Sequence, residues 1–316
     1  MPLTAEQIAS SYTTLADLQR FNDRTLADVE MSDIHDSAPL IKRLAAVPSS
    51  NGTLHRYEVE TGAPVVGFRN LNEGRVNTKA SVRTVESALK ILDAGTSVDR
   101  AAADADQNGK AAHIAKKAKR NLKAAHFVAE QQIINGEAEK GFMGLRQAMA
   151  HLDNEYVINA GGTTANAGSS IYIIVTNDEG SDVALVSNKE ITVGETTEVL
   201  LYDEDGKPFD GYRTPVLGWL GLQIGSKTSL VRIANITEQA GKGATDDLVY
   251  RGLELLPSDK HPELILMSRR SRRQIRESRT ATNNTGAPAP LPTDVEGIEI
   301  VTSDAVENTE PIATAA

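Results

Sequence analysis

The most regular apolar pattern in the chain lies between Asn108 and Gly136, where Ile114, Ala118, Leu122, Ala125, Ala129 and Ile133 recur at three- and four-residue steps. That period marks one face of an α-helix. Lys116, Lys117, Lys119, Arg120 and Lys123 fall elsewhere on the wheel and read as its solvated face. Asn108 is placed to cap the first turn, and Gly136, after Asn135, to stop the last. At 1.5 Å per residue such a helix is about 40 Å long, well beyond the usual three or four turns.

Upstream the period changes to two. Val76, Thr78, Ala80, Val82 and Thr84 alternate with Arg75, Asn77, Lys79, Ser81 and Arg83, the pattern of a strand, and Thr61-Gly62-Ala63-Pro64 with Asn72-Glu73-Gly74 supplies turns. Residues 53–86 therefore predict a long hairpin with a basic polar face (Arg75, Lys79, Arg83) and few large apolar residues on the other. A two-stranded ribbon is marginal in water, so this one is expected to lie on another surface. Before it, residues 1–50 mix an amphipathic piece (Ile8, Leu15, Leu18, Phe21) with breaks at Pro39 and Pro48. They predict an arm ordered against its neighbours.

Beyond the helix, Ala160 to Ser170 reads as a loop by composition. Strands are expected at 171–176, 183–186, 197–202, 220–224 and 229–236, with a turn at Asp205-Gly206. Helix 246–256 follows, presenting Leu248, Val249, Leu253 and Leu256 before Pro257. Strand 264–267 then runs into an arginine-rich helix, Arg269 to Arg279. Pro-rich 287–292, a last strand at 298–301 and a polar tail complete the chain. The class is α+β.

Composition narrows the chemistry. The 316 residues are 40% hydrophobic but only 4% aromatic, which builds cores from Ala, Val, Ile and Leu rather than a deep ligand pocket. With no cysteine, disulfide and thiolate chemistry are excluded, consistent with assembly in a reducing cytoplasm. Neither a secretory leader nor a membrane span is expected. The net charge is −10, against a broad nucleic-acid-binding surface. Six of the 43 acids lie in the base-free stretch 280–316, so 37 acids face 33 bases in the rest.

No catalytic, cofactor or metal residue is expected. His35, His55, His113, His126, His151 and His261 form no i, i+4 pair, and Gly241-Lys242-Gly243-Ala244-Thr245 lacks the phosphate-loop spacing. The six arginines of Ser268 to Arg279 surround most of a helix, so some must meet protein; pairing inside the fold or across an interface is expected ahead of direct DNA contact.

Four local stretches carry a family resemblance. Gln131-Gln132-Ile133-Ile134-Asn135-Gly136 followed by Gly144-Leu145, Trp219-Leu220-Gly221-Leu222 with Val231-Arg232-Ile233-Ala234-Asn235-Ile236, Leu264 to Arg270, and Gly297-Ile298-Glu299-Ile300 with Thr302-Ser303-Asp304-Ala305 resemble segments of tailed-bacteriophage major capsid proteins of the Hong Kong 97 type. The order of elements resembles that family across most of the chain. It implies an N-arm (1–50), an E-loop (51–86), a P-domain (87–160) with spine helix 108–136, a strand-rich P-domain/A-domain segment (161–237) and an A-domain (238–316). The block Trp219 to Ile236 precedes the A-domain helices, the reverse of the type member, and resembles the rearranged strand order of short-tailed phages.

The function so implied is a non-enzymatic subunit that self-assembles, as hexamers and pentamers, into an icosahedral head around double-stranded DNA. Its implied partners are a separate scaffolding protein, a portal, a cement protein and weakly held packaged DNA, with assembly in the host cytoplasm. Inter-subunit contacts are expected at Arg69, Glu73, Arg75, Lys79 and Arg83 of the hairpin and at Arg269, Arg270, Arg272 and Arg273 of the late helix. An encapsulin-type compartment shares the implied fold and is the alternative; a DNA-binding protein using helix Arg269 to Arg279 is the reading from a different class.

Overall fold

The computed structural model describes residues 38–62, 64–74, 79–105, 109–136, 139–176, 182–188, 191–202, 206–283 and 287–315. The amphipathic piece at 5–21, Asn108 and Arg75 lie outside them. The chain begins with β1 (Ala45–Pro48), β2 (Leu54–Gly62), β3 (Ser81–Ala88), β4 (Lys90–Asp93) and β5 (Thr96–Asp99). Helices α1 (Arg100–Asp104), α2 (Lys110–Asn135) and α3 (Leu145–Ala148) follow, then β6 (Val157–Asn159), β7 (Ser169–Ile174), β8 (Val183–Ser187) and β9 (Thr192–Val193). Next come β10 (Thr197–Tyr202), β11 (Pro208–Thr214), β12 (Val216–Ile224) and β13 (Leu230–Ile236). The last elements are α4 (Asp246–Glu254), β14 (Leu264–Met267), α5 (Arg269–Ala281), β15 (Asp294–Val295) and β16 (Ile298–Thr302).

Contacts divide the chain into two compact units, and neither is one continuous segment. The first holds the described part of Met1–Lys42 with Lys90–Gln131 and Ser187–Leu220; the second holds Arg43–Leu89, Gln132–Val186 and Gly221–Ala316. The expected segment 238–316 falls within the second unit, and the expected segment 161–237 is divided between the two. Strands from both segments enter one sheet, because β7 and β13 pair with each other and β7 also pairs with β14.

The long helix α2 has 26 residues, and its residues 110–131 are the organising element of the first unit. Ile114, Ala118, Leu122, Ala125 and Ala129 are buried along it as the periodicity predicts. Ile114 packs with Val98, Ala103 and Tyr212, and Leu122 with Val216. Strand β11 pairs antiparallel with β10 and β5, placing Tyr212 opposite Val98. Lys110, at the start of α2, sits over the Tyr212 ring at 4.6 Å. Ala38 and Leu40 are fully buried, and the Leu40 and Ile41 N–H groups donate to Glu130 Oε2 at 2.9 and 3.4 Å, so the described end of the arm is fastened to α2.

The second unit is built on a six-stranded sheet in the order β15-β16-β14-β7-β13-β6. Its central strands are buried throughout, which requires apolar runs rather than alternation and explains Leu264–Met267 and Ile171 to Ile174. On one face Ile171, Ile173, Val231, Ile233, Ile265 and Met267 pack with Val249 of α4 and Ile275 of α5. Where α2 ends, Gly136 has φ 72°. A Cβ at Gly136 would collide with Gly144 N, and one at Gly144 would lie 2.7 Å from Gln132 O, so this Asn-Gly … Gly-Leu crossing admits no side chain at either glycine.

The edge of this unit carries an acid-sensitive contact. Arg43 donates from Nε to Glu299 Oε2 at 2.9 Å and from Nη2 to Oε1 at 2.5 Å. That bonded guanidinium holds the Glu299 carboxyl below the usual carboxylate range. A depressed folded-state pKa stabilises above the ordinary value of about 4.3, and the contribution is lost as pH falls through the lowered one. Both side chains are part-exposed, which limits the effect to below about 1 kcal/mol. Arg43→Ala should therefore return the Glu299 titration, read by NMR, to the ordinary range. The stability difference between wild type and variant should shrink to nothing at acid pH; a difference that persists when Glu299 is protonated would refute the assignment.

Candidate functional site

The predicted hairpin exists but is displaced from the predicted alternation. Strands β2 and β3 pair antiparallel from Leu54 opposite Ala88 to Glu60 opposite Val82, with an irregularity before Gly62 and Ser81. Lys79 and Ala80 precede β3, which starts only at Ser81. In this register His55, Tyr57, Val59, Arg83, Val85 and Ser87 share one face. The other carries Arg56, Glu58, Glu60, Val82, Thr84 and Glu86, all exposed, with Arg56 and Glu86 ion-paired at 2.7 Å. The fully exposed face is therefore more acidic than basic, and Arg83 lies on the opposite side.

The base of the hairpin is fixed to its own unit. His55 Nε2 lies 2.6 Å from Gln223 Oε1, Ser87 Oγ donates to Leu222 O at 3.1 Å, and Ile224 N donates to the Tyr57 hydroxyl at 3.4 Å. The His55 and Tyr57 rings stack at 5.6 Å. Burial pushes the Tyr57 phenol up, partly offset by the Ile224 bond and by Arg83. A groove of about 650 Å³ runs beside this face, lined by Tyr57, Val59, Arg83 and Val85 of the hairpin and by Met143, Met149 and others of the same unit.

The tip is the opposite case. Phe68 is fully exposed, Leu71 is 92% exposed, Val66 85% and Val65 66%. The local chain holds them there: Arg69 Nη1 donates to Glu73 O at 2.8 Å, Asn70 N donates to Glu73 Oε2 at 2.8 Å, and Asn72 takes φ 66°, which Asn tolerates better than most residues. Arg69 and Glu73, expected as contact residues, thus shape the tip turn. The apolar tip itself was not singled out by sequence reasoning, although Val65-Val66 and Phe68 between Pro64 and Asn70 are its signal.

The second candidate group sits on α5 and turns largely onto its own unit. Arg269 meets Asp304 at 3.2 Å; Arg273 meets Glu277 at 2.9 Å and Glu238 at 2.5 Å; Arg279 forks onto Asp246 with both contacts at 2.8 Å. Arg270 donates to the carbonyls of Ala167, Ile236 and Asn308. Burial lowers its pKa. The fold thus holds Arg270 and Arg279 within the unit, while Arg269, Arg272, Arg273 and Arg276 line one groove. The hairpin and α5 residues line separate grooves. Of the six histidines, His55 contacts Gln223 and His126 Nδ1 donates to Leu122 O at 2.9 Å.

A family model described as major capsid protein GP7 matches residues 26–313. No curated protein matches the sequence. Among solved structures, a chain of bacteriophage epsilon15 superposes with a TM-score of 0.62 at 18% identity, covering 90% of this chain and 97% of that one. A chain of the bacteriophage JBD30 capsid superposes with a TM-score of 0.50 at 11% identity, covering 85% and 91%. These likenesses place the chain in the Hong Kong 97-type capsid fold.

Proposed function

The chain belongs to the major capsid protein GP7 family, and on that premise we propose that it closes its shell through the β2–β3 hairpin, whose apolar tip seats on a neighbouring copy. As a major capsid protein it is the structural subunit of a tailed-phage head. The observation that carries the hairpin reading is the exposure of Val65, Val66, Phe68 and Leu71 on a turn built by Arg69, Asn70 and Glu73. Large apolar side chains clustered on a projecting turn mark a contact surface. The anchored base supports a tip that is presented rather than folded back.

On this reading copies join as hexamers and pentamers, a closed symmetric solution to self-association. Assembly takes place in the host cytoplasm with scaffolding and portal proteins, around DNA. Lys79 and Arg83, with Arg75, supplement the apolar contact by charge, and the subunit turns over no substrate. Electron microscopy of the purified protein, expressed alone and with a scaffolding protein of the same phage, tests the reading. Closed shells are expected in at least one preparation; compact monomers in both, confirmed by light scattering at high concentration, would count decisively against it.

A further inference from the structure

A groove of about 420 Å³ in the second unit is lined by Arg269, Arg272, Arg273 and Arg276 of α5 with Leu291 and Thr302. Three- and four-residue steps along a helix bring these side chains to one side. Arg269 and Arg273 meet carboxylates, but in exposed ion pairs that another anion can displace. Arg272 and Arg276 differ. Each donates through Nε to a main-chain carbonyl, Pro292 O at 2.8 Å and Ala289 O at 2.7 Å, and neither meets a carboxylate among the described residues.

A carbonyl bond fixes a guanidinium without cancelling its charge, and bonding through Nε leaves the terminal nitrogens to donate elsewhere. This occurs in a chain with 43 acidic and 33 basic residues, where a carboxylate partner is the easy solution. Two held, uncompensated guanidiniums one helical turn apart are arranged for an anion from outside the chain.

The geometry points to a phosphate-binding groove, in which Arg272 and Arg276, flanked by Arg269 and Arg273, hold the sugar–phosphate backbone of nucleic acid within the shell. This rests on the shell reading above. Guanidinium forks pair with phosphate and carboxylate alike. Four arginines in one row suit a ligand whose negative charges repeat at short fixed intervals, as phosphodiesters do. The remaining lining is one aliphatic side chain and one hydroxyl, with no ring for stacking on bases, so contact is with the backbone and independent of sequence.

The test measures binding of a mixed-sequence DNA duplex to unassembled subunit by fluorescence anisotropy, between 50 and 200 mM salt. Arg272→Gln/Arg276→Gln should bind roughly 10- to 100-fold more weakly at 0.1 M salt, with the log–log salt slope reduced by about 2. Arg272→Lys/Arg276→Lys, which keeps the charge but loses the Nε bonds, should retain most of the slope. Leu291→Glu leaves the arginine bonds untouched and sets a carboxylate in the groove; it should weaken binding likewise, which covers the case of a misfolded glutamine variant. An unchanged slope in the glutamine and Leu291→Glu variants overturns the proposal. So does unchanged DNA binding with failed shell formation, which would assign the groove to an acidic surface of a neighbouring copy. Electron microscopy of the same variants separates the two readings, because weakened DNA binding with normal shells supports the groove, whereas a wild type that forms no shells sinks the shell reading whatever the DNA result.

Discussion

Replacing Phe68 and Leu71 together by serine should leave the subunit folded and prevent shells from closing. Neither side chain contributes to the subunit's own core, since both stand almost wholly in solvent. Circular dichroism and thermal melting should therefore match wild type. On a neighbouring copy each would bury an apolar side chain for about 1.5–3 kcal/mol. The pair is then worth about 3–6 kcal/mol per contact, or roughly a hundredfold to more than ten-thousandfold in affinity at about 1.4 kcal/mol per decade. A shell repeats that contact at every subunit, so the concentration needed for assembly should rise beyond reach. Lys79→Glu is the matched comparison: a single exposed charge is worth about 0–1 kcal/mol and should shift assembly only slightly. Sedimentation showing shells of the serine variant at wild-type concentrations would remove the tip from the interface.

That the tip went unread in the sequence has a physical cause. Gly62, Pro64, Gly67 and Gly74 are turn residues, and the apolar side chains among them follow no period that would identify a buried face. The same punctuation hid β11 and the start of β12. Gly211 lies inside a strand because a Cβ there would come 2.7 Å from Val98 O and collide with the Leu201 side chain, so close strand packing, not a turn, demands the glycine. Elements with a sustained period or an unbroken apolar run were legible: α2 from its three- and four-residue recurrences, β14 and β16 from their bulk. The alternation of Ala80, Val82 and Thr84 with Lys79, Ser81 and Arg83 does not fix the hairpin's faces, because among the described residues Lys79 and Ala80 lie outside the strand, which begins at Ser81. Alternation reports a compatible pattern, and pairing decides where the strand begins.

The acidic tail reads from the sequence only as polar, and there the structure adds most in energetic terms. Glu310 is buried and pairs with Arg232 at 2.9 Å, their side chains 2% and 3% exposed. Arg232 also donates to Ser170 Oγ at 2.9 Å and Met149 O at 2.8 Å, and Ser170 donates to Glu310 at 2.6 Å. The backbones of Gly168 and Glu310 exchange two hydrogen bonds, and Ala313 N donates to Asn235 Oδ1 at 2.7 Å, which ties the tail to the sheet. Burial, reinforced by the Glu310 charge, pushes the nearby Tyr172 phenol well above its ordinary range. The signal was in β13, where one arginine interrupts an apolar run and requires a buried acid. Glu310→Ala leaves that arginine without a countercharge and should destabilise the protein by about 3–5 kcal/mol, a large share of a typical 5–15 kcal/mol. Arg232→Met combined with Glu310→Leu removes both charges and should recover most of the loss, since a buried pair often does no better than apolar residues of similar size. Urea denaturation of the two singles and the double closes the cycle. A Glu310→Ala loss below about 1 kcal/mol, or a double variant no better than the singles combined, would show that the tail is held by its backbone contacts and not by this pair.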